Sequence, residues 1–442
     1  MRLMYAVMAA LFCCTQSFAG EVRPLTLAGA VMRVVTQGHD LRMADKAIDA
    51  AKAQVKMARS PLLPQVSAFA GENFYAYQPA AVNGGQRLNT SEKTFVSMGV
   101  DVYQTVFDFG ATRIRHKAAA MLAQRASDEA GGIRNQVVLS VIASYINVLQ
   151  ARRLMDVARH ELTTLASHMK EVAILYYEGV ATRNEILSVR VRFNQARQKL
   201  IVARSHEKVV FAGLKQCLSW NDDQPLIVKN TWPVVSSDML LKDAIAAAMS
   251  SRYELHGLDK AVLAADFDEA STAASDKPSL FVRGGYNYAD NRYQARDDNW
   301  QATVGVKLSV FNGGLTRASV AKARADKGRL MEERRQLEER LRFDVEKAYW
   351  EMKNASARML LNETSVRQAD ENARVARIRY HEGAGTSVEF LDALVLRTAA
   401  ETDLGSGVYE YQRAQAMFLY TMGKDLVAIY GQEEDHENLS TR

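Results

Sequence analysis

The chain holds few side chains arranged to make or break a bond. Eight histidines are present, yet none stands at the His-Glu-x-x-His spacing that turns two imidazoles toward one zinc ion. No Gly-x-Ser-x-Gly elbow and no glycine-rich phosphate loop occurs. His39, His160, His168 and His206 read as helix-surface residues. Cys13 and Cys14 fall in an N-terminal apolar run. That leaves Cys217, which alone can form no internal disulfide or metal cluster and reads as a small buried helix residue. The formal net charge of +5 is spread along the chain rather than gathered in a patch, which argues against nucleic acid. An enzyme is therefore disfavoured, no catalytic or metal-binding residue is assigned, and no cofactor is expected. What remains is acidic. Glu389 and Asp392 lie three residues apart and share one helix face. Glu185 and Glu389 each follow a threonine by three residues, the spacing of a capping box.

These residues sit in a chain that is written twice. Tyr176-Tyr177-Glu178-Gly179-Val180-Ala181-Thr182, followed by Glu185 and Leu187, is repeated as Tyr380-His381-Glu382-Gly383-Ala384-Gly385-Thr386, followed by Glu389 and Leu391, at a constant offset of 204. The same offset lays Val106-Phe107-Asp108-Phe109-Gly110 on Val310-Phe311-Asn312-Gly313-Gly314. Upstream the offset becomes 214, placing Leu27, Ala30, Leu41 and Pro64 on Leu241, Ala244, Leu255 and Pro278. Loops absorb insertions at little entropic cost, so a loop is expected between Pro64 and Val106.

Each unit opens with an Ala-rich helix, about 25–59 and 239–273, ended by Pro61/Pro64 and by Pro278. Strand-like alternation follows. Val96, Met98, Val100 and Val102 alternate with Ser97, Gly99 and Asp101; Trp300, Ala302, Val304, Val306 and Leu308 alternate with Gln301, Thr303, Gly305 and Lys307. Strands are expected at about 66–78, 94–106, 280–290 and 300–310, with polar loops at 79–93 and 291–298. Strands of about ten residues with one apolar and one polar face match a transmembrane β-barrel wall. No proline lies between 80 and 224 or after 278, which leaves room for long helices. Val138, Ile142, Tyr145 and Leu149 form a stripe at i, i+4, i+7 and i+11, and Leu337, Leu341, Val345 and Ala348 form another. A helix from about 112 to 176 would span on the order of 100 Å unless Gly131-Gly132 bends it. The Gly179 and Gly383 phrases reverse the chain into helices at about 183–218 and 387–424.

Residues 1–19 carry Arg2, an apolar run from Leu3 to Cys14 and small residues at Ser17 and Ala19, the pattern of a secretory signal cut before Gly20. Lipid attachment at Cys13 or Cys14 is a second reading, with Leu11-Phe12 unfavourable for it. The domains expected are therefore a signal peptide (1–19), a first repeat (20–220), a linker (221–238), a second repeat (239–424) and a polar C-terminal tail (425–442), disordered from Gln432 to Arg442. Four strands cannot enclose a lumen, and open edges in lipid leave backbone groups unpaired, so several chains must share one barrel. Residue patterns leave two, three or four chains open. A secreted coiled-coil scaffold or adhesin without a pore would explain the helices but not the two hairpins.

The duplicated helix–hairpin–helix–turn–helix unit resembles the outer membrane efflux protein family of TolC-like channels. The likeness covers about 25–424 and is sharpest at Phe107 to Gly110, Phe311 to Gly314 and Tyr380 to Ala393. It implies an α+β membrane protein: a homotrimer whose 12-stranded outer-membrane β-barrel, four strands per chain, continues as a long α-helical coiled-coil barrel through the periplasm. It implies the exit duct of a tripartite efflux pump or type I secretion system, docked through a periplasmic adaptor on an inner-membrane pump or ABC exporter. On this resemblance Tyr380 is a gating tyrosine, and Glu389 and Asp392 form an acidic constriction at the periplasmic mouth that favours cations. Glu178, Gly179, Val180, Glu382, Gly383 and Ala384 form the turns that meet the adaptor. Val96, Met98, Val100, Val102, Trp300, Val304, Val306 and Leu308 face outer-membrane lipid. The family's locking arginine would fall at Gly385, so that link is missing here.

Overall fold

The computed structural model describes residues 24–220, 226–230, 232–233 and 239–432. The expected signal segment with Cys13 and Cys14, most of the linker and the end of the tail lie outside the described residues.

The first half runs α1 (Leu27–Gln37), α2 (His39–Arg59), β1 (Gln65–Phe74), β2 (Ala80–Asn83), β3 (Gln86–Asn89), β4 (Thr94–Phe107), α3 (Ala111–Tyr177) and α4 (Arg183–Cys217). The second runs α5 (Leu241–Ser251), α6 (Tyr253–Ala274), β5 (Ser279–Ala289), β6 (Asp298–Lys307), α7 (Leu315–His381), α8 (Ser387–Thr421) and α9 (Leu426–Tyr430). The helix expected to open each unit is two helices. The first breaks at Gly38, whose ψ of 133° is extended, and the second at Arg252, whose ψ is 122°. Positions 38 and 252 are 214 apart, so the break is itself duplicated.

Four further expectations are corrected. The strand expected over 66–78 ends at Phe74. The polar segment 79–93 is not wholly a loop: β2 and β3 pair as a hairpin closed by Gly84 and Gly85, both at positive φ. The strand expected over 300–310 ends at Lys307, so Leu308 lies beyond the ladder. The polar tail begins with α9, whose Leu426 and Tyr430 are buried in the main core and whose N-terminus is capped by Asp425.

α3 and α7 each have 67 residues, about 100 Å at 1.5 Å per residue. Gly131-Gly132 does not break α3, which runs through both residues. A Cβ on Gly131 would sit 2.7 Å from the Tyr253 ring, so this glycine lets α6 approach α3 closely. α2 and α6 pack along α3, α6 also packs on α7, and α4 and α8 return along α3 and α7.

The largest core lies at the midpoint of the long helices. Val138, Ile142, Tyr145 and Leu149 meet Leu214 from α4 and Leu218 just after it, Val345 and Met352 from α7, and Phe418 from α8 with Met422 just after it. Asn135, buried there, donates to the Lys424 carbonyl (3.0 Å) and accepts from the Leu426 N–H (3.3 Å), joining α3 to the α8–α9 corner. A smaller cluster, Leu165, Val172, Val189, Ala196, Leu391 and Leu394, lies near the helix tips. Cys217 is half-buried rather than buried, its sulfur 3.4 Å from the Ser144 hydroxyl.

Candidate functional site

The four long strands form one antiparallel sheet in the order β1-β4-β5-β6. Residues opposite one another across antiparallel strands project from the same face. One row across the sheet is therefore Ala68, Val100, Tyr286 and Trp300, and the next is Val66, Val102, Gly284 and Ala302. Val96, Met98, Val304 and Val306 extend the same face. This face is bare: Trp300 is 76% exposed and Val304 72%. Leu308, expected on it, is exposed but follows the last strand residue. The opposite face carries Ser97, Asp101, Asn73 and Arg283, with an Arg283–Asp101 ion pair at 3.1 Å and an Asn73 to Ser97 hydrogen bond at 2.8 Å. Among the described residues, β1 and β6 each have one edge without a partner strand.

At the far end of the helices the two reversals share one geometry. Val180 N–H donates to the Leu175 carbonyl and Ala384 N–H to the Arg379 carbonyl, both at 2.8 Å. Gly179 and Gly383 have φ of 78° and 69°, which glycine adopts without the penalty a Cβ would impose. Thr182 and Thr386 cap the returning helices by accepting the N–H of Glu185 and Glu389. Glu178, Val180, Glu382 and Ala384 are exposed around these turns.

Glu389 and Asp392 are both exposed, and each faces an arginine of its own chain. Glu389 lies 3.6 Å from Arg379, and Asp392 lies 3.6 Å from Arg192 on α4. Tyr380 is half-buried against the tip cluster, and burial, with smaller contributions from Glu185 and Glu171, pushes its phenol pKa up.

Sequence reasoning missed His168. It is not on the helix surface but buried, 2% exposed. Its ring meets Tyr380 and Phe390 edge-on at 5.2 and 4.8 Å, and its Nε2 lies 3.0 Å from the Ser387 hydroxyl. Glu161, Leu165, His168 and Val172 repeat the i, i+4, i+7, i+11 spacing of the Val138 stripe, and all four are buried. Continuing that stripe through its polar members would have found both Glu161, held by Lys199 at 2.9 Å, and His168.

A sheet with one bare apolar face, joined at the strand ends to two long helices and written twice, defines an outer-membrane channel subunit. The model of the family "outer membrane efflux protein" matches residues 33–218 and 245–422, and the chain belongs to that family. It is similar to CyaE of Bordetella pertussis (24% identity, 70% of this chain and 65% of that protein, just under two thirds). It is also similar to the outer membrane protein TolC of Escherichia coli (23% identity, 92% of this chain and 85% of that protein). A membrane protein of Pseudomonas aeruginosa superposes with a TM-score of 0.81 at 18% identity, over 92% of both chains. The protein is an outer-membrane channel component that reaches into the periplasm.

Proposed function

We propose that three copies of this chain close a 12-stranded barrel and form the exit duct of a tripartite efflux pump or a type I secretion system. The observation that carries this reading is the pair of open edges on β1 and β6, flanking an apolar face that the described residues leave uncovered. Unpaired edges cannot persist in lipid, so neighbouring copies supply the missing ladder. Four strands per chain in three copies give an even-numbered barrel, as outer-membrane barrels have.

In this reading Val96, Met98, Val100, Val102, Trp300, Val304 and Val306 face lipid. The polar face with Asp101 and Arg283 lines the lumen. The turns at Glu178-Gly179-Val180 and Glu382-Gly383-Ala384 meet a periplasmic adaptor, which couples the duct to an inner-membrane pump or ABC exporter. Tyr380, Glu389 and Asp392 surround the periplasmic mouth and act as its gate, and the duct conducts without catalysing a reaction. A pore-free scaffold would leave the apolar sheet face exposed to water.

The test is the native mass of the detergent-solubilised protein together with conductance in planar bilayers. Trimers with stepwise conductance are expected; a monomer that forms no pores would sink the proposal.

A further inference from the structure

Among the described residues His168 is the only buried histidine, and it lies where the helix tips meet. Its Nε2 lies 3.0 Å from the hydroxyl of Ser387, the first residue of α8. Its Nδ1 lies 3.7 Å from Glu171 and makes no hydrogen bond. Glu171 is in turn 3.3 Å from Arg377 and 3.8 Å from His381, both near the end of α7. One ring on α3 thus contacts, directly or through one carboxylate, both helices joined by the 382–386 turn. We propose that the His168–Glu171–Arg377–His381 cluster is a latch: neutral His168 holds the α7–α8 tip against α3, and its protonation releases that tip. The inference rests on the helix tips being the channel's gate.

The surroundings fix the direction. On its own helix, Glu171 favours the charged ring. From α7, Arg377 and His381 oppose it, and Tyr380 offers an aromatic edge with a phenol that stays neutral. From α8 come Ser387 and Phe390, neither charged, while Glu389 is turned toward Arg379. The positive end of the α8 dipole also opposes a second positive charge. From α4, Glu185 bears on Tyr380.

Burial is the largest influence, and it holds the His168 pKa below the ordinary histidine value despite Glu171. A base whose pKa is lowered by packing stabilises the packed state above its free pKa of about 6.5, and that stabilisation is lost as pH falls through the lowered value. Acid therefore works against the packed tip.

The full-length protein in planar bilayers tests this, with the helix-tip side moved from about pH 7.5 to about pH 5, on either side of the free histidine pKa. The wild type is expected to show a reversible, several-fold rise in conductance on acidification. His168→Phe keeps a ring between Tyr380 and Phe390, and His168→Gln keeps a hydrogen-bonding group toward Ser387; both should stay at one low level. A wild type that does not respond, or a variant that responds equally, overturns the latch.

Hydrogen exchange of residues 376–391 in the solubilised full chain gives a second readout that needs no pore. Relative to the intrinsic amide rate at each pH, which itself falls in acid, protection of these residues is expected to drop on acidification in the wild type and not in the variants. That result in a protein without pores would support the latch and overturn the channel reading. Pores whose acid response ignores His168 would overturn the latch alone.

Discussion

Arg379 reaches from the last turn of α7 to the first turn of α8, placing its guanidinium 3.6 Å from the Glu389 carboxylate. The same side chain donates to the Ala384 carbonyl at 3.1 Å. Gly385 lies within this loop, where a Cβ would meet the Arg379 Cβ at 3.1 Å and the Glu389 carboxylate at 3.2 Å. The glycine and the ion pair are therefore one arrangement. The resemblance puts a locking arginine at 385; here Arg379 supplies a cation to the same turn from the preceding helix.

On the proposed reading, in which these tips surround the periplasmic mouth, the pairing sets the charge there. Glu389→Ala with Asp392→Ala should lower cation preference in single-channel reversal potentials, and Arg379→Ala should raise it by freeing Glu389. Both pairs are exposed, and such pairs contribute about 0–1 kcal/mol, so thermal stability should barely move. Unchanged selectivity in the double variant would remove the acids from the conduction path.

Val304→Arg probes the bare sheet face. A cation at the middle of a lipid-facing strand costs about 2–4 kcal/mol. The variant should yield little heat-stable oligomer in the outer-membrane fraction, while Thr303→Arg, on the opposite face, should assemble. Normal assembly of both would place the face in water.

Gly131→Ala sets two effects against each other. Replacing a mid-helix glycine by alanine returns about 0.5–1 kcal/mol of backbone entropy. The new methyl would lie 2.7 Å from the Tyr253 ring, and overpacking of that kind costs about 1–3 kcal/mol. The overlap should win and lower the melting temperature, and Tyr253→Ala in the same chain should restore much of the loss. A more stable single variant would show that α6 can shift freely on α3.

Asn135→Leu removes both hydrogen bonds to the α8–α9 corner. The buried Leu426 N–H, left without a partner, costs about 1–3 kcal/mol. The melting temperature should fall, and amide exchange at Leu426 should accelerate. Unaltered exchange would mean the corner is held by packing of α9 alone.

Much of the fold could be read because its signals were written twice. The Gly179 and Gly383 phrases mark the reversals, and the alternation around Val100 and Val304 marks the strands, because backbone sterics and a two-faced environment leave few other patterns. Shorter features were lost for equally physical reasons. The Gly84-Gly85 turn closes a hairpin too polar to read as strand. Leu426 to Tyr430 forms one apolar helical turn ahead of a polar end, and charge content masked it. His168 escaped because a lone polar residue on a helix is usually solvated, and only its place in the stripe marks it as buried. The Arg379–Glu389 and Arg192–Asp392 pairs link groups on different helices, and a linear pattern does not carry the angle at which helices cross.

The length of α7 without a break has a mechanical consequence. A continuous helix of 67 residues transmits rotation rather than absorbing it. Pivoted at the core around Val345 and Met352, it is a lever, and a tilt of about 5° over roughly 45 Å of its rise carries the far end through about 4 Å. A displacement of that size is comparable to the 3.3 and 3.8 Å separations that tie Arg377 and His381 on α7 to Glu171 on α3, so a small turn at the fulcrum is enough to part both.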